Sequence, residues 1–116
     1  MQKGENRMEI DVIRGENVKR ISDVRLKRGA LDSPYLLIWI LEGKVGDEWE
    51  NIVWVMPERE EKILKYLKVF READYYYRCT GTIPVVQVTR DRELVLEEKV
   101  AKWVKEKNLW DKYWRG

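Results

Sequence analysis

The chain contains no histidine, and it has one cysteine, three prolines and a single phenylalanine. Each scarcity removes something. Without His there is no His-ligated zinc site and no imidazole acid–base chemistry. One Cys cannot close an internal disulfide, and a lone thiol fits a reducing cytosol. Uncharged polar side chains are also few: two Ser, three Thr, two Gln and four Asn. Long apolar runs are missing too; the longest spans Tyr35 to Leu41, far short of the roughly 20 residues that cross a bilayer. The polar stretch from Met1 to Met8 has no apolar signal core. These features predict a soluble, cytoplasmic protein with no membrane partner.

Charge and aromatic rings fill the remainder. Of 116 residues, 38% are charged, yet Lys+Arg exceed Asp+Glu by only two. Any electrostatic attraction must therefore be local rather than global. Lys and Glu in place of Asn and Gln is the thermophile pattern, because ion desolvation costs less at high temperature. Six Trp and six Tyr exclude intrinsic disorder. The length suits one compact domain over residues 1–116. Residues 1–7 read as a frayed tail and 108–116 as an aromatic C-terminal segment.

Along the chain, Met8 to Ile13 alternates as a short strand, and Gly15-Glu16-Asn17 marks a turn. Val18 to Lys27 reads as one further strand near an edge. Gly29, Asp32, Ser33 and Pro34 mark a turn within Arg28 to Pro34. Tyr35 to Glu42 is apolar on both faces, the pattern of a central strand. Gly43 to Asp47 closes a hairpin onto Trp49 to Met56, with Leu41 expected opposite Trp49, Trp39 opposite Asn51 and Ile38 opposite Ile52. Pro57 with Glu58, Glu60 and Glu61 opens a helix expected to end near Ala73. Ile63, Tyr66, Leu67 and Phe70 form its apolar stripe. Tyr75 to Thr80 and Pro84 to Thr89 read as strands separated by Gly81. Asp91 can cap a second helix reaching Lys107; the alternative is a hairpin at Arg90-Asp91-Arg92 with the helix starting near Glu97. Together these elements predict an α+β fold, a mostly antiparallel sheet of five or six strands with two helices packed on one face.

The apolar strand ending Leu41-Glu42-Gly43-Lys44 resembles the second half of the PD-(D/E)xK nuclease signature. The resemblance covers a few residues and implies a Mg²⁺ site with Lys44 near the attacking water. Such a site needs a second acid beside Glu42. Asp32 would lie roughly 30 Å away along the strand, so Asp23 is the candidate. The plainer reading of Glu42 and Lys44 is a solvated hairpin pair, and Asp47, Glu48 and Glu50 read as a solvated hairpin tip. Cys79 reads as a small buried residue of an apolar strand.

The remaining constellation combines rings and cations. On a strand, Tyr76 and Arg78 share one face, and Tyr35 and Trp39 share a face of the central strand. Two helices on one side would leave an aromatic sheet face uncovered, and such patches mark binding surfaces. Arg14 to Arg28 carries six positive side chains against Glu16 and Asp23. Single-stranded DNA or RNA suits this combination, since bases stack on rings and phosphates meet cations. The expected interface is Trp39, Tyr35, Tyr76, Arg78, Arg20, Arg25, Lys27 and Arg28, in a non-catalytic protein without cofactor or metal. The competing expectation covers that face with a second copy of the chain, a homodimer or larger homo-oligomer with no nucleic-acid role. Trp54, Phe70 and Trp103 read as core, and Trp110 and Trp114 need a dock, on this domain or on a partner.

Overall fold

The computed structural model describes residues 8–30 and 37–115, with side chains described up to residue 107. Strand β1 (Ile10–Arg14) turns through Gly15 and Glu16 into β2 (Asn17–Ile21). Gly15 adopts φ +60°, the positive value that glycine supplies in a two-residue hairpin loop. The expected single strand Val18 to Lys27 is instead two strands in two sheets. β2 stops at Ile21, and β3 (Val24–Ala30) begins after Ser22 and Asp23. Ile21 and Val24 both pack into the core, three residues apart. A straight strand alternates with period two and cannot turn both inward, so the chain bends there. The Asp23 carboxylate accepts from Val24 N at 2.8 Å, and the bend is pinned to Lys44 by Ser22 N→Lys44 O (3.0 Å) and Lys44 N→Asp23 O (2.9 Å).

β3 pairs antiparallel with β4 (Leu37–Val45), and β4 with β5 (Glu48–Val55). The turn is Gly46-Asp47, with Gly46 at φ +62°. Gly43 lies inside β4, so the expected register is corrected: Leu41 faces Val53, Lys44 faces Trp49 and Trp39 faces Val55. Gly43 is there for closeness. A Cβ at this position would stand 2.8 Å from Ile52 Cδ1 and 2.9 Å from Ile21 Cγ2. The register shifts between Leu41 and Glu42, leaving Ile52 as a bulged residue. Ile52 and Val53 are consequently both in the core.

After a 3-10 turn at Pro57–Arg59, helix α1 runs Glu61–Thr80. It absorbs the stretch expected as a strand at Tyr75 to Thr80. Ile63, Tyr66, Phe70, Ala73 and Tyr76 are its buried residues, one unbroken stripe at helical spacing. Tertiary burial of that stripe overrides the strand preference of three consecutive tyrosines. The helix ends at Gly81, whose φ of 76° and N–H→Tyr77 O bond form a left-handed cap. β6 (Val85–Val88) and β7 (Leu94–Leu96) follow as a hairpin around Arg90 to Arg92, and α2 spans Glu98–Arg115. Asp91 therefore lies in a turn and caps no helix; the alternative hairpin reading is the observed one.

The architecture is α+β, and the described residues form seven strands in two sheets rather than one sheet of five or six. One sheet is mixed, in the order β2-β1-β6-β7, with β1 parallel to β6; the other, β3-β4-β5, is antiparallel. The main core lies between the sheets and α1, built on Phe70, Ile10, Ile21, Val53 and Val86. A smaller cluster joins the helices through Tyr76, Val100 and Val104, with Trp103 against it. Phe70 and Trp103 are thus structural, as their stripes imply. None of the described helices is long and apolar enough to cross a membrane.

Candidate nucleic-acid interface

Alternation sorts the three-stranded sheet into two faces. Leu26, Trp39, Leu41, Val53 and Val55 point to the core. The opposite face carries Arg25 and Lys27 on β3, Ile38, Ile40, Glu42 and Lys44 on β4, and Trp49 and Trp54 on β5, with Ile38 buried there. Cross-strand pairing sets Lys27 beside Ile40 and Ile40 beside Trp54, while Arg25 meets Glu42 and Lys44 meets Trp49. No residue of this face belongs to either core cluster. Trp54, expected in the core, is half-buried here at the free edge of β5.

Each tryptophan of this sheet is covered by a guanidinium. Arg25 lies 4.2 Å from the Trp49 ring centre, Arg28 lies 4.3 Å from Trp39, and Arg92 lies 4.1 Å from Trp54. The ring's negative face attracts the cation, an interaction of about 0.5–1 kcal/mol at exposed positions. Arg25 reaches across β4, donating from Nε to Glu42 Oε1 at 2.8 Å on the way. Glu42 is only 8% exposed, so that bond neutralises a buried carboxylate.

The expected interface residues do not form one site. Arg25 and Lys27 come together on the outward face. Trp39 and Arg28 sit on the inward face, where Trp39 Nε1 donates to Glu60 Oε1 at 3.3 Å and the ring packs on the core. That face is the one expected to be uncovered. Arg20 is on β2, held by Asp11 at 2.5 Å and Glu9 at 3.3 Å. Tyr76 and Arg78 are helical, not strand, residues. Tyr76 is buried edge-on against Trp103 at 5.4 Å, and Arg78 bonds Asp74 one turn back at 2.7 Å. Tyr35 lies outside the described residues, as do the side chains of Trp110 and Trp114. Of the segment's other cations, Lys19 pairs with Glu50, and Arg14 donates to the Ile52 carbonyl.

Other candidates separate cleanly. Asp23 lies in the bend just before β3, the strand paired with that of Glu42. Yet Glu42 is engaged by Arg25, and among the described residues no group of three His, Cys, Asp or Glu could hold a metal. Cys79, expected buried, is exposed on the last turn of α1. Sequence reasoning missed the Arg92–Trp54 pair. Its one signal was the Arg90-Asp91-Arg92 turn, which says nothing about a strand more than thirty residues earlier. Compared with protein-family models, curated proteins and solved structures, the chain shows no match.

Proposed function

We propose that this chain is a small non-catalytic protein that binds single-stranded DNA or RNA on the outward face of β3-β4-β5. The observation that carries the reading is the Arg25–Trp49 stack on that face, with Lys27 and Lys44 beside it. Guanidinium planes stack bases as aromatic rings do, and lysines meet phosphates. The thiol and amide scarcity supports a cytoplasmic setting and a warm-living source. The test is intrinsic tryptophan fluorescence during titration with oligothymidylate at two salt concentrations. Quenching that weakens with salt is expected. Replacing Lys27 and Lys44 together with Ala should shallow the salt dependence by about 1.4 in log–log slope. No quenching at micromolar protein overturns the reading.

A second reading concerns the opposite side of the molecule. On the four-stranded sheet, Val18, Ile13, Gln87 and Val95 align as one cross-strand row pointing away from the core. Val18 is 58% and Val95 49% exposed. That row supports self-association through this face. Light scattering decides it: a strict monomer at high micromolar concentration removes it, and a dimer lost in Val18→Lys upholds it.

A further inference from the structure

A polar groove of about 360 Å³ lies where the free edge of β5 meets the start of α1 and the β6–β7 turn. Trp54, Arg59, Lys62, Tyr66, Asp91 and Arg92 line it. Three cations converge there, and Asp91 is the one carboxylate among those six. Lys62 is held in place by Glu93 at 2.5 Å, whose hydrogen bond keeps the ammonium protonated beyond its ordinary range. No described carboxylate lies within ion-pair distance of Arg59 or Arg92.

Arg92 is also the one described non-glycine residue with positive φ, at 61°. An L side chain is strained in that region, and such strain persists only where the surroundings over-determine it. They do so here. Arg92 N donates to Thr89 O at 3.0 Å, and Thr89 N to Glu93 O at 2.9 Å. Glu93 N donates to Thr89 Oγ1 at 3.1 Å, and the Tyr66 hydroxyl to Arg92 O at 2.7 Å. Glycine would take this turn freely; arginine instead places a guanidinium over Trp54 at the groove wall.

We propose that the groove binds a phosphate group, with Arg59 and Arg92 supplying forked N–H donors and Lys62, shared with Glu93, a further N–H donor. Bidentate guanidinium–phosphate pairing is the strong form of this recognition. The phosphate comes either from a free phosphate ester or from a nucleic-acid strand crossing the adjoining face. The groove does not depend on strand binding, because its three cations stand apart from Arg25, Lys27 and Lys44.

The experiment follows tryptophan emission of the full chain with inorganic phosphate, adenosine monophosphate, adenosine and oligothymidylate. Trp54→Phe identifies the responding ring. Phosphate and the monophosphate should give saturable changes that adenosine does not give. Arg59→Ala, exposed and outside the core, should weaken both about tenfold, the loss expected for one charged hydrogen bond. Arg92→Gly should weaken them similarly without lowering the unfolding midpoint, because the strain is relieved. Oligothymidylate affinity unchanged in Arg59→Ala assigns the phosphate to a free ester, and affinity lowered assigns it to the strand. Phosphate and monophosphate that leave Trp54 emission unaltered, or bind a folded Arg59→Ala equally well, overturn the proposal. Loss of oligothymidylate binding on replacing Lys27 and Lys44, with phosphate binding intact, separates the two sites.

Discussion

Trp103 and Trp49 are both half-buried rings, but they are satisfied in different ways. Trp103 is wedged among rings: Tyr76 meets it edge-on and Tyr75 lies tilted 5.4 Å away. Trp49, like Trp39 and Trp54, is covered by a guanidinium. Ring-on-ring packing joins α1 to α2 and seals a small core. Ring-under-guanidinium packing leaves a cation facing solvent. The first arrangement holds elements together, whereas the second prepares a charged, stackable surface and contributes little to holding the fold. Burial around a tryptophan is therefore no guide to its role until its partner is known.

The largest expected effect breaks the helix side of this contrast. Trp103→Ala removes a ring pressed between Tyr75, Tyr76 and the Val100–Val104 cluster. It should cost about 3 kcal/mol, the lower end of the range for aromatic truncations, since the ring is not fully buried. Chemical denaturation measures it. Trp49→Ala should cost less than half as much while abolishing any oligonucleotide quenching from that ring. Equal losses would collapse the distinction.

Next comes a change in the sheet that spares every ring. Gly43→Ala forces a methyl against Ile52 and Ile21, both buried and unable to retreat. Overpacking of this kind costs about 1–3 kcal/mol. The outward face should meanwhile keep its oligonucleotide affinity, because Arg25 and Trp49 lie on the other side of β4. A loss of affinity matching the loss of stability would mean that the two faces are not independent.

Local features were legible in the sequence where local chemistry decides them. Gly15 and Gly46 turn hairpins because positive φ is needed there. Pro57 and the following glutamates announce a helix start, and the Ile63–Phe70 stripe marks its buried side. Misreadings arose where a distant partner decides. The Tyr75-Tyr76-Tyr77 run has strand preference, but α2 and the core claim it for a helix. Gly43 looks like a turn residue, yet it is small so that Ile21 and Ile52 can close over it. The bend at Ser22-Asp23 was readable in principle from the three-residue spacing of Ile21 and Val24. The parallel pairing of Asp11 with Val85 was not, since no local pattern encodes it. The expected interface scattered for the same reason. Which side of a sheet a residue joins depends on pairings far along the chain, and a helix replaced one of the assumed strands.

Tyr66 tests whether the clamp behind Arg92 is structural. Its hydroxyl donates to Arg92 O, and burial, with a contribution from Glu93, raises its pKa above the ordinary tyrosine value. A raised folded pKa means stability that is complete below the unfolded value of about 10 and lost as pH climbs toward the folded value. The wild-type chain should therefore weaken above about pH 10, and Tyr66→Phe should flatten that alkaline limb. At neutral pH the substitution should cost about 1 kcal/mol, one hydrogen bond to a carbonyl. An alkaline limb unchanged in Tyr66→Phe would place the titrating group elsewhere, for instance at Tyr77, which donates to Glu9.

The smallest effect sharpens the contrast from the guanidinium side. Arg28 covers Trp39 on the inward face, where the ring also packs on the core and bonds Glu60. Arg28→Ala uncovers one ring face and removes a cation, but leaves the packing and the indole hydrogen bond in place. The expected loss is about 0.5–1 kcal/mol, the value of an exposed cation–π contact. The clearer signal is spectroscopic. Trp39 emission should shift to the red as water replaces the guanidinium, and Trp39→Phe should abolish that shift. Because Arg28 faces away from Lys27 and Arg25, oligonucleotide affinity should barely change, whereas Arg25→Ala should lower it and cost more stability, since buried Glu42 loses its partner. If Arg28→Ala weakens binding as much as Arg25→Ala does, the strand reaches both sides of the sheet, and the outward face alone is not the interface.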